Sequence, residues 1–458
     1  MKASASRSWP GLVVSAAKRT GGVFPQQITT VRVHSLVILT ALYANLLAPG
    51  ACEAQDSVSP IARPVPPAGP LVILTDRAFD GRGNVLGARN ITITNGRVAS
   101  LSARATGTVI DLRGYTVMPG WIDTHVHLDS HWNRNGRIAT DSEPPPEAAL
   151  GIALAGWETL MGGFTTVQTV GDPSEKPLRD NIRDRGFPGP RVLTSLAWIE
   201  GKGDSTGTPE QLRAMVRQRK ADGADLVKIF ASTSQRVGAR PTLTQEQLTI
   251  LCGEAKAQGM RSMVHAYRSQ VSAAALAGCN QVEHATYATA ADIATAVRMG
   301  TYISPQVGLV VQNYIANKAR YIGVGNYTEA GMQTMDKDLP LDFEICRIAV
   351  HTPGAKVVFS TDATAGAHGR NADEFLGRIE HCGQTPMAAL VSAQSLAATA
   401  IGLGDRIGTI APGFEADIIA LDGDPLKDPT AVRRVVFVMR GGVVYKMTGG
   451  RARTAGGR

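Results

Sequence analysis

Between Val117 and Leu403 the chain alternates short apolar, β-branched runs with longer helical stretches, eight times over. Strands are predicted at 117–127, 164–170, 191–196, 225–231, 261–266, 280–284, 301–306 and 356–362, with helices between them such as 209–222, 244–258 and 386–401. Parallel strands need a crossover at every step, and closing the sheet on itself removes both edges, so this order predicts an α/β fold, a (β/α)8 TIM barrel. The flanks read differently. Runs at Leu71, Ile91 and Val98 before the barrel, and at Asp417 and Val435 after it, are short β segments separated by turn signals such as Asn95-Gly96. They predict a small β-sandwich built from both chain ends, with parts at 70–116 and 404–447 around a barrel at 117–403.

With 458 residues, 43% of them hydrophobic and 19% charged, the chain has apolar surface for such a core, which excludes a disordered or polytopic membrane protein. The net charge of +8 invites a nucleic-acid reading. Its location argues against one. Lys2, Arg7, Lys18, Arg19 and Arg32 at one end, and Arg451, Arg453 and Arg458 in a basic tail at 448–458, supply nearly all of the excess. A near-neutral body presents no concentrated basic face, so no nucleic-acid partner is expected.

The first 54 residues read as a targeting segment. Arg32 precedes an apolar run from Ser35 to Ala48, followed by small residues at Ala51, Cys52 and Ala54. That run is too short for a permanent transmembrane span, which takes about 20 residues. Cleavage after Ala54 would leave a Pro- and Ser-rich linker at 55–69, and the product is expected to be exported, periplasmic or secreted. Cys252, Cys279, Cys346 and Cys382 remain, without a CxxC pair. Four buried thiols are the expected state; if bridges form, Cys346 to Cys382 is the favoured pairing.

The segment M-P-G-W-I-D-T-H-V-H-L at 118–128 carries the chemistry. Alternate residues of a strand face one side, so His125 and His127 point into one space, and two adjacent imidazoles suit a metal. Asp123 shares their phase one pleat deeper and is expected to have a hydrogen-bonding, structural role. His265, His284 and Asp362 close later strands in the same phase, and in a barrel those ends converge on one face. Four imidazoles and a carboxylate suit Zn2+. Lys228 ends the fourth strand; an ammonium repels metals, but its CO2-derived carbamate offers two oxygens that could bridge two ions.

Together, P-G-W-I-D-T-H-V-H, D-L-V-K-I-F, V-E-H-A-T-Y, T-D-A-x-x-G-x-H-G-R-N and the tail G-T-I-A-P-G-F-E-A-D-I-I-A-L-D-G-D-P resemble the amidohydrolase superfamily in its binuclear form, over roughly residues 70–447. The closer resemblance is to its prolidase-like branch of Xaa-Pro and Xaa-Arg dipeptidases. The resemblance implies two divalent metal ions, His125, His127 and Asp362 holding one, His265 and His284 the other, and carbamylated Lys228 bridging them. The chain departs from that pattern at His131-Trp132 and in the loop from Gln306 to Tyr327.

Two ions would yield a metal-bridging hydroxide near neutral pH, with Asp362 as the catalytic residue that moves its proton to the leaving amine. The expected activity is non-deaminating cleavage of an amide C–N bond in a small dipeptide-like or N-acyl amino acid substrate. Esterase, lactonase or phosphotriesterase action at the same centre is the alternative, and a non-catalytic scaffold is the competing class. Deamination is disfavoured, since the superfamily's deaminases lack the strand-four lysine. His131, Tyr267, Arg268, Tyr287, His368, Arg370 and Asn371 follow strand ends and are the candidate substrate contacts, with Arg268 the candidate anchor for a carboxylate. Oligomeric state is left open, a homo-oligomer included.

Overall fold

The structure is a computed structural model that describes residues 69–101, 107–140 and 142–453. The expected targeting segment at 1–54, nearly all of the expected 55–69 linker and the last residues of the basic tail lie outside the described residues. The described chain has a mixed α/β fold with three sheets.

Strands from both ends build one nine-stranded sheet, Leu71–Phe79, Val85–Thr94, Arg97–Ser100, Thr108–Asp111 and Thr116–Pro119 joining Ile418–Leu421, Val435–Arg440, Val443–Met447 and Arg451–Arg453. It is mixed: Leu71–Phe79 runs antiparallel to Val85–Thr94 but parallel to Thr108–Asp111 and Thr116–Pro119. The Asn95-Gly96 turn has φ of 51° and 73°, the left-handed pair that a tight hairpin needs. Strand Ile418–Leu421 explains how the sheet attaches to the rest. Ile418 and Ala420 pack with Ile73, Ile91 and Phe437 on one face, whereas Ile419 and Leu421 pack with Trp121, Phe164 and Phe359 on the other. A strand buried on both sides therefore reads as a continuous apolar run.

The predicted strand 117–127 is two strands, Thr116–Pro119 in the nine-stranded sheet and Trp121–Val126 in a parallel one. The chain changes sheet at Gly120, where a Cβ would stand 2.3 Å from Thr165 Oγ1. Trp121–Val126, Phe164–Thr169 and Arg191–Thr194 form a three-stranded parallel sheet. Trp198–Glu200, Leu226–Phe230, Arg261–Ala266, Gln281–His284, Tyr302–Ser304 and Lys356–Val357 form a six-stranded one, and its first strand was not predicted. Backbone bonds link the two: Asp225 N donates to Thr194 O (2.8 Å), while Asp362 N donates to His125 O (2.8 Å) and His127 N to Ala363 O (2.9 Å). The predicted strand 356–362 is thus a strand only at its start, and beyond Val357 its backbone turns to the segment bearing the paired histidines.

Helices follow most of the parallel strands. Pro209–Ala221 and Gln245–Ala257 start at capping boxes, Thr208 with Gln211 and Thr244 with Gln247, which satisfy the first free amides reciprocally. The predicted helix 386–401 is divided at Gln394 into Pro386–Ser392 and Ser395–Ala400. Both cysteine pairs are bridged, Cys252 to Cys279 and Cys346 to Cys382, which corrects the expectation of four free thiols. The four cysteines are buried as expected, but the pairing of each with a partner 27 or 36 residues away is not revealed by composition.

Candidate metal centre and active site

The C-terminal ends of the parallel strands surround a cavity of roughly 480 Å³, the size of a small-molecule site. At its base the ligand atoms of His125, His127 and Asp362 lie within 4.8 Å of one another. Asp362 Oδ1 is 3.2 Å from His125 Nε2 and 3.1 Å from His127 Nε2. Lys228, fully buried, brings Nζ to 3.2 Å from the same His125 nitrogen. His265 and His284 complete the base, their rings 4.5 Å apart edge to face.

Strand register explains part of this layout and corrects part of the expectation. Met263 pairs with both Lys228 and Gln281, one layer of side chains; His265 pairs with both Phe230 and Glu283, the layer above. The residue in phase with His265 is therefore Glu283. His284, level with Ala266, reaches the cavity because the chain turns there, with φ of 67°. Asp362 likewise sits at φ 54°. Such conformations cost non-glycine residues energy and gather where geometry serves function.

Glu283 sets the tautomer of His125. Its Oε2 lies 2.8 Å from His125 Nδ1, and Gln281 and Gln306 donate to its two oxygens. With Nδ1–H committed, His125 Nε2 keeps its lone pair towards the cavity. The polar 281 and 283 of an alternating strand were the sequence signal for Glu283. Burial first, and the Lys228 charge second, lower the His125 pKa; burial lowers His265 well below its usual value and His284 to about 3. Burial pushes the Asp362 carboxyl up, but His125, and His127 through its hydrogen bond and charge, outweigh it and hold the group well below the carboxylate range. His265 Nε2 is buried with no hydrogen-bond partner. Neutral imidazoles, an ionised carboxylate and an orphaned buried nitrogen fit a divalent metal. Burial also lowers Lys228 to about 8, against the charges of Glu283 and Asp362.

Asp123 has the structural surroundings expected of it. It accepts from the backbone amides of His125 and Thr361, from Thr361 Oγ1 at 2.6 Å and from Asn371 Nδ2 at 2.8 Å.

Of the candidate substrate contacts, Tyr267 lines the cavity, stacked on His284 and edge-on to His265. The others are placed elsewhere. His131 is engaged by Glu143 and the Asp129 carbonyl, Tyr287 donates to Asp338, and His368 Nε2 lies against the Ser130 carbonyl. Asn371 is fully buried on Asp123. Arg370 pairs with Asp373, and Arg268 is exposed with its guanidinium 4.5 Å from the Tyr287 ring. Sequence reasoning missed Arg236, Gln306 and Asp342, all lining the cavity.

Asp342 allows a pH test. Burial first, with the Asp338 charge adding to it, raises its pKa to about 7 against the hydrogen bonds from Thr286 and Gln235. An unfolded aspartate ionises near 3.9, so the folded state binds the extra proton and stability falls as pH rises from about 4 to about 7. Asp342→Asn is therefore expected to gain Tm relative to wild type between pH 5 and pH 8. A constant Tm difference between the two proteins would remove Asp342 from the pH response.

Residues 116–448 match the model of the Amidohydrolase family. The chain is 24% identical to an ochratoxinase of Aspergillus niger over 378 residues, covering 73% of this chain and 76% of that protein. It is similar to a Xaa-Pro dipeptidase solved with methionine in its active site, with a TM-score of 0.74, 28% identity, and coverage of 82% of this chain and all of that one. A prolidase solved with N-methylphosphonate-L-proline gives a TM-score of 0.73 and 25% identity over 83% of this chain and all of that one.

Proposed function

Because the chain belongs to the amidohydrolase family, we propose that it is a metal-dependent hydrolase that cleaves the carbon–nitrogen bond of a small dipeptide-like or N-acyl amino acid substrate. The observation that carries this is the convergence of His125, His127, Asp362 and Lys228 at the base of a cavity sized for a small molecule. The two parallel sheets are read as the wall of one (β/α)8 barrel, and the nine-stranded sheet as the flanking β-sandwich.

His125, His127 and Asp362 would hold one divalent ion and His265 and His284 a second, with carbamylated Lys228 shared by both; imidazole and carboxylate donors suit Zn2+. Ions held by these residues would supply an acidified water and a Lewis acid for the scissile carbonyl. The chain's own groups do the rest. The Asp362 carboxylate accepts the proton of the attacking water and delivers it to the leaving nitrogen. Glu283 keeps His125 oriented through Nδ1–H. Tyr267, whose phenol burial holds protonated, keeps an O–H to donate to a substrate oxygen.

The similar solved proteins include a Xaa-Pro dipeptidase and a prolidase, which supports a small peptide-like amide. No helix among the described residues is long and apolar enough to cross a membrane. We further propose export, on the basic-then-apolar order from Arg32 to Ala54 and on two disulfides that belong in an oxidising compartment.

The test is a panel of N-acyl amino acids and dipeptides incubated with metal-loaded protein and read by mass spectrometry. Cleavage of the amide is the expected result. Turnover of esters, lactones or phosphotriesters with no amide cleaved would assign the centre to a different bond.

A further inference from the structure

Arg236 is a cation in this cavity with no carboxylate paired to it among the described residues. It lies in the turn Gln235–Val237, beyond the strand that carries Lys228, and lines the same space as the histidines. Its Nε donates to Asn326 Oδ1 at 2.8 Å, and its guanidinium carbon stands 4.2 Å from the Tyr327 ring centre and 5.3 Å from that of Tyr314. These contacts fix the plane of the guanidinium but leave its charge unanswered. Among the described residues, no carboxylate comes within 4.0 Å of it, whereas Arg370 and Arg378 each have a carboxylate partner. A half-buried guanidinium has five donors, and withdrawing it from water is costly unless an anion meets it. Lys228 is the other lysine or arginine lining the cavity, and it sits fully buried at the base against His125.

The surroundings of Arg236 come from the long connection from Gln306 to Gln333, which forms helices Val310–Ala316 and Lys318–Tyr321. Tyr314, Tyr321 and Tyr327 pack within 5.3 Å of one another, centre to centre, and order the segment. Val311 and Met335 line the cavity on the same side. The result is one fixed positive charge set into an apolar, aromatic wall.

We propose that Arg236 is a specificity-determining residue: it binds the carboxylate of the substrate's amino acid moiety, whose apolar side chain lies against Tyr314, Val311 and Met335. This rests on the amide-hydrolase reading and deepens it. It also moves the carboxylate anchor from the exposed Arg268 to a residue inside the cavity. A carboxylate takes two parallel N–H bonds from one guanidinium, which a neutral amide cannot match. The 4.2 Å approach of Tyr327 holds the guanidinium in a single plane, so little side-chain freedom remains to be lost on binding.

The experiment compares wild type, Arg236→Met and Arg236→Lys on N-acyl amino acids with apolar side chains and on the matching carboxamides, with the cleaved bond identified by mass spectrometry. Arg236→Met is expected to lower kcat/KM about 10- to 150-fold for the carboxylates, mostly through KM, while changing the carboxamides little. Arg236→Lys should recover part of the loss. Equal loss on both substrate sets, or loss on neither, overturns the assignment. A second measurement separates this inference from the amide reading. Calorimetric binding of N-acetyl-phenylalanine, against its carboxamide, to the same three proteins needs no turnover. Selective weakening of the acid in Arg236→Met supports the anchor even if no amide is cleaved, and equal binding by wild type and variant overturns it.

Discussion

Asp362→Asn is expected to lower kcat by about 10²- to 10⁴-fold while leaving the fold in place, the span measured when a positioned acid–base group is removed. The substitution suits the site. Asp362 adopts φ of 54°, a left-handed conformation that asparagine tolerates about as well as aspartate, so the backbone has no reason to move. What disappears is the charge that faces His125 Nε2 and His127 Nε2 at 3.2 and 3.1 Å, and with it the proposed proton acceptor. Steady-state kinetics on metal-saturated protein, with Tm recorded alongside, provide the check. A variant with wild-type kcat would take Asp362 out of proton transfer.

The second large effect is on stability. Arg378→Met should cost about 3–5 kcal/mol, because it leaves Glu374 charged and buried without its partner. Both side chains are fully buried, with Arg378 Nε donating to Glu374 Oε1 at 2.9 Å and Arg378 also donating to the Pro305 carbonyl at 2.8 Å. Glu374 in turn accepts the backbone amides of Val307 and Gly308, so the pair pins the turn that follows Gln306 and opens the long cavity-wall segment. Urea unfolding reads the loss as a lower midpoint at unchanged slope. Adding Glu374→Gln to Arg378→Met should restore part of it, since the stranded charge is then gone. A single variant as stable as wild type would show that the pair carries no structural load.

The paired histidines, the lysine and Asp362 were legible in the sequence because strand alternation acts on a two-residue spacing and the ends of parallel strands converge on one face. His125 and His127 needed only a two-residue period. Long-range pairing was not legible. Asn371, expected at the substrate, instead closes on Asp123, a contact spanning 248 residues. The change of sheet at Gly120 depends on the closeness of Thr165, and Trp198–Glu200 is a strand only because Leu226–Phe230 lies beside it. His284 was placed in phase with His265 by assuming that a regular strand continues; the register makes Glu283 the in-phase residue, and the turn at φ 67° is what brings His284 to the cavity. Arg236 escaped notice because nothing local separates an unpaired arginine from a surface one.

The most direct measurement follows N-acyl amino acids by mass spectrometry with the wild-type protein as purified, after chelation, and during stepwise return of Zn2+. The account predicts amide cleavage that is lost on chelation and regained as about two ions per chain return. Undiminished cleavage by the chelated protein, or no amide cleavage by the fully loaded one, would contradict it.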